Sequence, residues 1–470
     1  MPTNTLYHPS SHQPWLELGP DSYDLVSPAT FPKAILRFRN QSAAQKVGLD
    51  ELTDSEWKDH FWSFNPFQNN LTSPLALRYH GHQFTHYNPE LGDGRGFLFA
   101  HVIEAGSERL LDLATKGSGQ TPWSRRGDGR LTLKGAVREA LATAFLESHG
   151  VNTSKTFSIY ETGEALMRND EPSPTRSAVL TRLSHSHVRI GTFERLSFLK
   201  QNETRDHLSE LCLKYYFPQI SVNSQNPCEL LFLETAQATA KTTAQWMLSG
   251  FVHGVLNTDN INITGESFDY GPYRFLPHYD TKFVAAYFDH SGLYAYGRQP
   301  YTMLWNLERF GEALGLSPET LQAGMRVFQD HFNSETMRLF LKRLHLKPSS
   351  ASLTQDLFSQ TIYFLEKSKA PFEGFFFDWF GGMLSHDRAM QGPRKSYYHG
   401  DEFLDFQQKL KKFIPLSDAF LKDDYFLSPD PETLLIDEIE NIWDPIDKND
   451  DWSLFYKKLD KLNRLQDLLF

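Results

Sequence analysis

The chain has 470 residues, with 22% charged and 40% hydrophobic side chains, which excludes collagen-like, low-complexity and wholly disordered organisation. At roughly 150 residues per domain it accommodates about two or three packed units. Acidic residues outnumber basic ones by 58 to 47 for a net charge of −11, so no global field draws in nucleic acid or anionic lipid, and any phosphate must be held by a local basic pocket.

No apolar run approaches the roughly 20 residues that span a bilayer, and the first 20 residues lack a basic segment followed by an apolar one. The two cysteines, Cys212 and Cys228, form no metal-ligand pattern and cannot make a disulfide framework. Together these features lead us to expect a cytoplasmic protein with neither a nucleic-acid nor a membrane partner. The aromatic share of 14% points to bulky packing between helices and sheets.

In chain order, residues 1–73 mix short apolar pieces with turn formers and read as an extension packed on the remainder of the chain. Residues 74–200 are strand-like and glycine-punctuated. GFLFAHVIE (96–104) and RLLDLATK (109–116), joined by Ala105–Glu108, form a hairpin signature. The glycine-rich basic segment KGSGQTPWSRRGDGR (116–130) comes next. A helix is predicted from about Thr132 to Ser148, with Leu133, Val137, Leu141, Ala144 and Phe145 as its apolar stripe. Glu139 lies off that stripe, among the small residues Gly135, Ala136 and Thr143. VLTRLSHSHVRIGTF reads as a strand carrying both Arg182 and Arg189.

From residue 201 to 470 the pattern is mostly helical. Examples are NLERFGEALG (306–315), a helix opened by Ser317 and Pro318, and DPETLLIDEIENIW (430–443) with a stripe of Leu435, Ile439, Ile442 and Trp443. The order predicts an α+β fold with a sheet-rich first lobe, a larger helical second lobe and a cleft between them.

The chemistry concentrates around that cleft. Phosphotransferases of the kinase type use a loop with a packed His, an Asp two residues on and a metal-binding Asn five further, followed by a DFG-like Asp. Here HGVLNTDN (253–260) supplies His253 and Asn260, and Asp269-Tyr270-Gly271 fits the second motif. Val255 stands where the catalytic Asp belongs, so the usual base is missing and Asp259 is the loop's one carboxylate. Taken alone, HGVLNTDN reads equally well as a surface turn.

Lys116 ends a strand on the face of Leu110 and Ala114, and Glu139 follows 23 residues later on the helix. The two fit a phosphate-binding lysine held by a helix carboxylate. GDGR occurs at 92–95 and again at 127–130. Gly92, Gly94 and Arg95, with Asp128 and Gly129, supply close backbone approach and NH groups for phosphate, and Arg125, Arg126, Arg130, Arg182 and Arg189 supply charge. His80, His82, His86, His185 and His187 lack metal-ligand spacing and read as structural.

HGHQF, LGDGRG, DLATKGSGQTPWSRRGDGR, VLTRLSHSHVRIGTFE, GFVHGVLNTDN, DYGPYRFL and GRQPYTMLWNLERF together resemble the selenoprotein O (SelO) family over about residues 74–315. The resemblance implies a protein-kinase-like bilobal fold and a protein adenylyltransferase that moves AMP from ATP to Ser, Thr or Tyr hydroxyls of proteins, including its own. The nucleotide would be flipped relative to a kinase. It also implies that Gly92, Gly94, Arg95, Lys116, Asp128, Gly129, Glu139, Arg182, Arg189 and Asp269 form the ATP site, with Arg182 and Arg189 on the terminal phosphates. Asn260 and Asp269 would hold Mg²⁺ or Mn²⁺, and Asp259 would accept the proton.

Two departures accompany the resemblance. Many members carry a Cys or selenocysteine near the C-terminus and a Cys after the DYG motif. This chain ends KKLDKLNRLQDLLF and has Ala285 and Ala286 in the second region, so disulfide gating is not expected, and the last 150 residues resemble the family only loosely. Two other readings stay open from the sequence. One is an ordinary phosphotransferase using Asp259; the other is a non-catalytic nucleotide-binding scaffold.

Overall fold

The computed structural model of the protein describes residues 13–221 and 226–469. The first 12 residues, within the N-terminal segment expected to carry no leader, lie outside them. The chain is mixed helix and sheet, with its large sheet complete by Ser184 and helices dominating afterwards, in accord with the α+β expectation.

Ten strands come first: β1 (Tyr23–Leu25), β2 (Ile35–Arg39), β3 (Leu75–Leu77), β4 (Gly81–Gln83), β5 (His86–Asn88), β6 (Leu98–Ile103), β7 (Leu110–Lys116), β8 (Leu131–Thr132), β9 (Lys155–Leu166) and β10 (Thr175–Ser184). Eight of them form one antiparallel sheet in the order β1-β3-β6-β7-β10-β9-β2, with β8 paired to β10. The predicted hairpin is β6–β7. Strands β1 and β2, from the first 73 residues, are hydrogen-bonded into the sheet at its two edges.

Register decides which side chains meet. Lys116 lies opposite Leu180, and Arg182 opposite Ala114. Alternation then puts Lys116 and Arg182 on one face as diagonal neighbours. Leu110, Ala114 and Leu180 on that face share a buried cluster with Val137, Leu141 and Phe145 of the helix Leu133–Ser148. Leu111, Leu113 and Leu183 on the other face join an aromatic cluster with Trp57, Phe61 and Phe157. Much of the aromatic content is therefore core.

The helix Leu133–Ser148 starts where expected, with the Thr132 side chain accepting the Gly135 N–H. It is buried on nearly all sides, and the C-terminal helix Ser453–Leu469 packs along it. Two helical expectations change. Arg189 is not on a strand but caps the helix Ile190–Phe198, because β10 ends at Ser184 and the chain turns at Ser186, whose φ is 84°. The helix expected at 430–443 is Ile436–Asn449, since the Asp430–Pro431 step disfavours helix at its start and Leu435 is the cap. Ser317 and Pro318 open Pro318–Arg343 as predicted. No described helix is long and apolar enough to cross a membrane.

One buried ion cluster anchors the end of the Glu139 helix. His149, its C-terminal cap, lies 3.3 Å from Glu373 of the helix Phe372–Asp378, and Glu373 accepts from Arg343 Nη2 at 2.6 Å. Burial works to raise the Glu373 pKa, but Arg343 and His149 overcome it and hold the carboxyl at about 2. Because the folded value lies below the unfolded one, this stabilisation is present above about pH 4.5 and fades as the pH falls toward 2. Glu373→Gln leaves Arg343 buried without its counter-charge. Urea unfolding at pH 7 is expected to show a loss of about 3 kcal/mol, shrinking as the pH is lowered through that window.

Candidate active site

Glu139 projects from its helix toward the face carrying the two basic side chains. Its Oε2 accepts from Lys116 Nζ at 2.7 Å and its Oε1 from Arg182 Nη2 at 2.7 Å. Asp269 closes the group, with Oδ1 3.0 Å from Lys116 Nζ and 3.4 Å from Arg182 Nη2, and Oδ2 3.5 Å from Arg189 Nη1. Three cations thus surround two buried carboxylates. Burial alone would raise both carboxyl pKa values. Arg182 and Lys116 reverse that at Glu139, and Lys116, Arg182 and Arg189 drive Asp269 well below the carboxylate range. Burial disfavours charge on Arg182, yet Glu139 and Asp269 outweigh it and raise its pKa. Glu139 and Asp269 therefore stay ionised at neutral pH, as do Arg182 and Arg189.

The two GDGR loops lie over this cluster. Gly96 passes so near the end of β7 that a Cβ there would sit 2.0 Å from Thr115 O. The contact brings the 92–95 loop beside Lys116, and Gly117 N donates to Arg95 O at 2.6 Å. In the second loop Asp128 is half exposed, ion-paired to Arg168 at 2.8 Å.

The hairpin formed by β11 (Phe251–Val252) and β12 (Arg274–Phe275) encloses the residues expected to carry the chemistry. His253, Asn257 and Thr258 are all buried, so HGVLNTDN is not a surface turn. His253 Nε2 donates to Phe268 O at 3.0 Å and thereby joins the two halves of the loop. Asp259 lies in the short 3-10 turn Thr258–Asn260. Its main-chain O accepts from Arg189 Nη1 at 2.7 Å, while its buried Oδ1 has no hydrogen-bond partner. Burial, opposed by Arg189, raises its pKa to about 7. Asn260 Nδ2 donates to Val255 O at 3.1 Å, which leaves the amide oxygen to accept or ligate.

A cavity of about 660 Å³ gathers ten of the twelve expected site residues: Gly92, Gly94, Arg95, Lys116, Asp128, Gly129, Arg182, Arg189, Asp259 and Asp269. Glu139 stands behind Lys116 and Arg182, and Asn260 sits outside the lining. Eight basic side chains face the cavity, against the four carboxylates of Asp93, Asp128, Asp259 and Asp269. This is the local basic pocket that an acidic chain needs to hold phosphate.

Sequence reasoning passed over Asp93, Trp123 and Arg168. Asp93 sits inside the first GDGR; burial raises its pKa, and it lies 3.5 Å from Arg189. A carboxylate between two loop glycines was the available signal. Trp123 rests over Gly92, and nothing local in the sequence marks that approach. Among the described residues no group of three His, Cys, Asp or Glu could hold a metal by itself, and His82, His101 and His187 instead face single carboxylates.

The fit of the first loop against β7 can be tested directly. Gly96→Ala forces the loop off the strand end and is expected to lower the unfolding free energy by about 1–3 kcal/mol, measured by urea denaturation.

The model of the family described as protein adenylyltransferase SelO matches residues 6–463, so the likeness extends well beyond 74–315 and takes in most of the last 150 residues. The chain is 40% identical to a protein nucleotidyltransferase YdiU of Trichodesmium erythraeum, covering 95% of this chain and 96% of that one. It is 42% identical to the protein of the same name from Gloeobacter violaceus, over 95% and 93% of the two chains. Against that of Synechocystis sp. the identity is 40%, over 96% and 98%. Together with a basic, carboxylate-organised cavity, these matches show that the chain is a nucleotidyl-transferring enzyme that belongs to the protein adenylyltransferase SelO family.

Proposed function

We propose that the enzyme transfers AMP from ATP to Ser, Thr or Tyr hydroxyls of proteins, itself included, on a kinase-like bilobal frame whose lobes meet near residue 200. The observation that carries this reading is the buried Asp259 carboxylate, whose Oδ1 has no hydrogen-bond partner. It faces the same cavity as Lys116, Arg182 and Arg189. The acceptor oxygen attacks the α-phosphorus, its proton passes to Asp259, and the bond from the α-phosphorus to the bridging oxygen breaks to release pyrophosphate. Lys116, Arg182 and Arg189 neutralise the charge that grows on the phosphate oxygens, where preorganised donors act most strongly. Glu139 holds Lys116 and Arg182 in place. Gly92, Gly94, Arg95, Asp128 and Gly129 line the nucleotide's path.

The donor set suits a metal carried in with the nucleotide. Mg²⁺ commonly takes one or two carboxylates plus phosphate oxygens; Asp269 offers a carboxylate beside the phosphate-binding cations, and Asn260, outside the lining, would add its amide oxygen. When bound there, Mg²⁺ or Mn²⁺ supplies further charge neutralisation at the phosphates. Cys212 and Cys228 are buried free thiols, in keeping with a reducing, cytoplasmic setting.

ATP labelled on either the α- or the γ-phosphate, incubated with the enzyme, Mg²⁺ and casein, decides among the readings. Label from the α-position alone is expected in protein. Label from the γ-position alone makes the enzyme a kinase, and ATP binding without transfer makes it a scaffold. Lys116→Ala and Asp269→Ala are each expected to lower α-label transfer by about 10²-fold or more, and wild-type rates in both would refute the site assignment. A structure with a non-hydrolysable ATP analogue tests whether the nucleotide is flipped.

A further inference from the structure

Asp259 Oδ1 is buried without a hydrogen-bond partner, so the aim of the carboxylate depends on what holds its backbone. On one side Arg189 grips its carbonyl oxygen. On the other stands Thr258, fully buried, whose hydroxyl donates to Glu194 Oε2 at 2.5 Å and accepts from His82 N at 2.7 Å. Glu194 is buried in the helix Ile190–Phe198, and its second oxygen accepts from His82 Nδ1 at 2.5 Å. Three residues from three separate elements thus form a loop of hydrogen bonds around the residue preceding Asp259, closed through the His82 main-chain N–H.

The packing around this loop leaves no slack. A Cβ on Gly81 would lie 3.0 Å from Asp259 Cβ and 3.1 Å from Thr258 Oγ1, and one on Gly191 would lie 2.1 Å from His80 O. The hairpin β4–β5 and the start of the helix therefore close directly on the turn. The HGHQF motif, which carries no group of its own into the cavity apart from Gln83, has its use here. Its His82 is wedged edge-on against Tyr87 and Trp305. One residue earlier in the loop, Asn257 Oδ1 accepts from Tyr294 OH at 2.5 Å and from Phe84 N at 3.2 Å.

We propose that Thr258, Glu194 and His82 are positioning residues, a relay that fixes the turn Thr258–Asn260 and so aims the Asp259 carboxylate at the acceptor hydroxyl. This rests on the reading of Asp259 as proton acceptor. None of the three touches the nucleotide cavity, so the relay acts on the transfer step and not on ATP binding. Misplacing a reacting group by about 1 Å costs on the order of 10²-fold in rate.

The test uses the full chain, α-labelled ATP, Mg²⁺ and casein, with ATP affinity measured separately by calorimetric titration. Thr258→Val keeps the shape and removes the hydroxyl; its kcat is expected to fall about 10- to 100-fold while the ATP Kd stays within about twofold. Thr258→Ser returns the hydroxyl and is expected to recover kcat to within about threefold of wild type. In the double variant Thr258→Val/Glu194→Gln the losses are expected not to add, as befits one network. A wild-type kcat in Thr258→Val, an equal loss of ATP affinity, or a Thr258→Ser variant as slow as the valine overturns the proposal. Should thermal melting show Thr258→Val unfolded, Glu194→Gln takes its place with the same expected fall, and a wild-type kcat there overturns it. Asp259→Asn separates the two layers: wild-type transfer by that variant refutes the role of Asp259 itself, whatever the relay variants do.

Discussion

The site depends on one buried carboxylate held between two cations. Glu139 is almost wholly enclosed, and an isolated ionised group in that position would be neutralised or expelled. Lys116 and Arg182 keep it charged, and they reach it only because antiparallel register places them diagonally on one face of the sheet. Asp269 enters the same group from a different part of the chain and brings Arg189 with it. With eight basic side chains facing the cavity against four carboxylates, the cavity keeps a positive surplus, and an anionic phosphate chain is the natural further partner. The desolvation penalty of so many buried charges makes the arrangement a poor means of stabilising the fold. Its sense lies in function: donors already oriented and stripped of water interact more strongly with developing charge than donors that must first reorganise.

The same constraint explains the parts far from the chemistry. The Glu139 helix must not shift along its axis, and it is held at its start by Thr132, at its end by the His149–Glu373–Arg343 cluster, and along its length by the C-terminal helix. Residues 13–73 provide the edge strands and, with Trp57, Phe61, Phe64 and Phe67, much of the aromatic layer behind the sheet. A match to the family running almost from end to end accords with this dependence, because strands β1 and β2 and the helix Ser453–Leu469 take part in holding the helix and sheet that carry the charged cluster.

The loop around Asp259 poses a different problem. Under the proposed reading Asp259 accepts a proton, which suits a poorly solvated carboxylate, and burial raises its pKa toward neutrality. A carboxylate whose Oδ1 must stay free gains little anchoring through its own oxygens. The anchoring is transferred to its backbone and neighbours, which accounts for the buried hydrogen bonds of Thr258, Glu194, His82 and Arg189 around a side chain that makes none at Oδ1.

Much of this was legible in the amino-acid sequence because it is encoded locally. Alternation marked β6 and β7, the i, i+3/i+4 stripe marked the helix from Leu133, and the glycines, lysine and acidic residues stand in motifs whose spacing carries chemical meaning. Local signals misled where the chain changes course. VLTRLSHSHVRIGTF looks extended throughout, but a turn at Ser186 moves Arg189 from a strand to a helix cap. Composition and periodicity thus determined the element types, the acidic surface and the inventory of charged and glycine residues. The Lys116–Glu139 pair was readable from the motif; only the tertiary structure decided that Arg182, Arg189 and Asp269 join it, that Asn260 stands outside the cavity while Asp93 lines it, and that Glu194 serves the residue beside Asp259. Those contacts join residues tens to hundreds of positions apart, and no short-range pattern records such a distance.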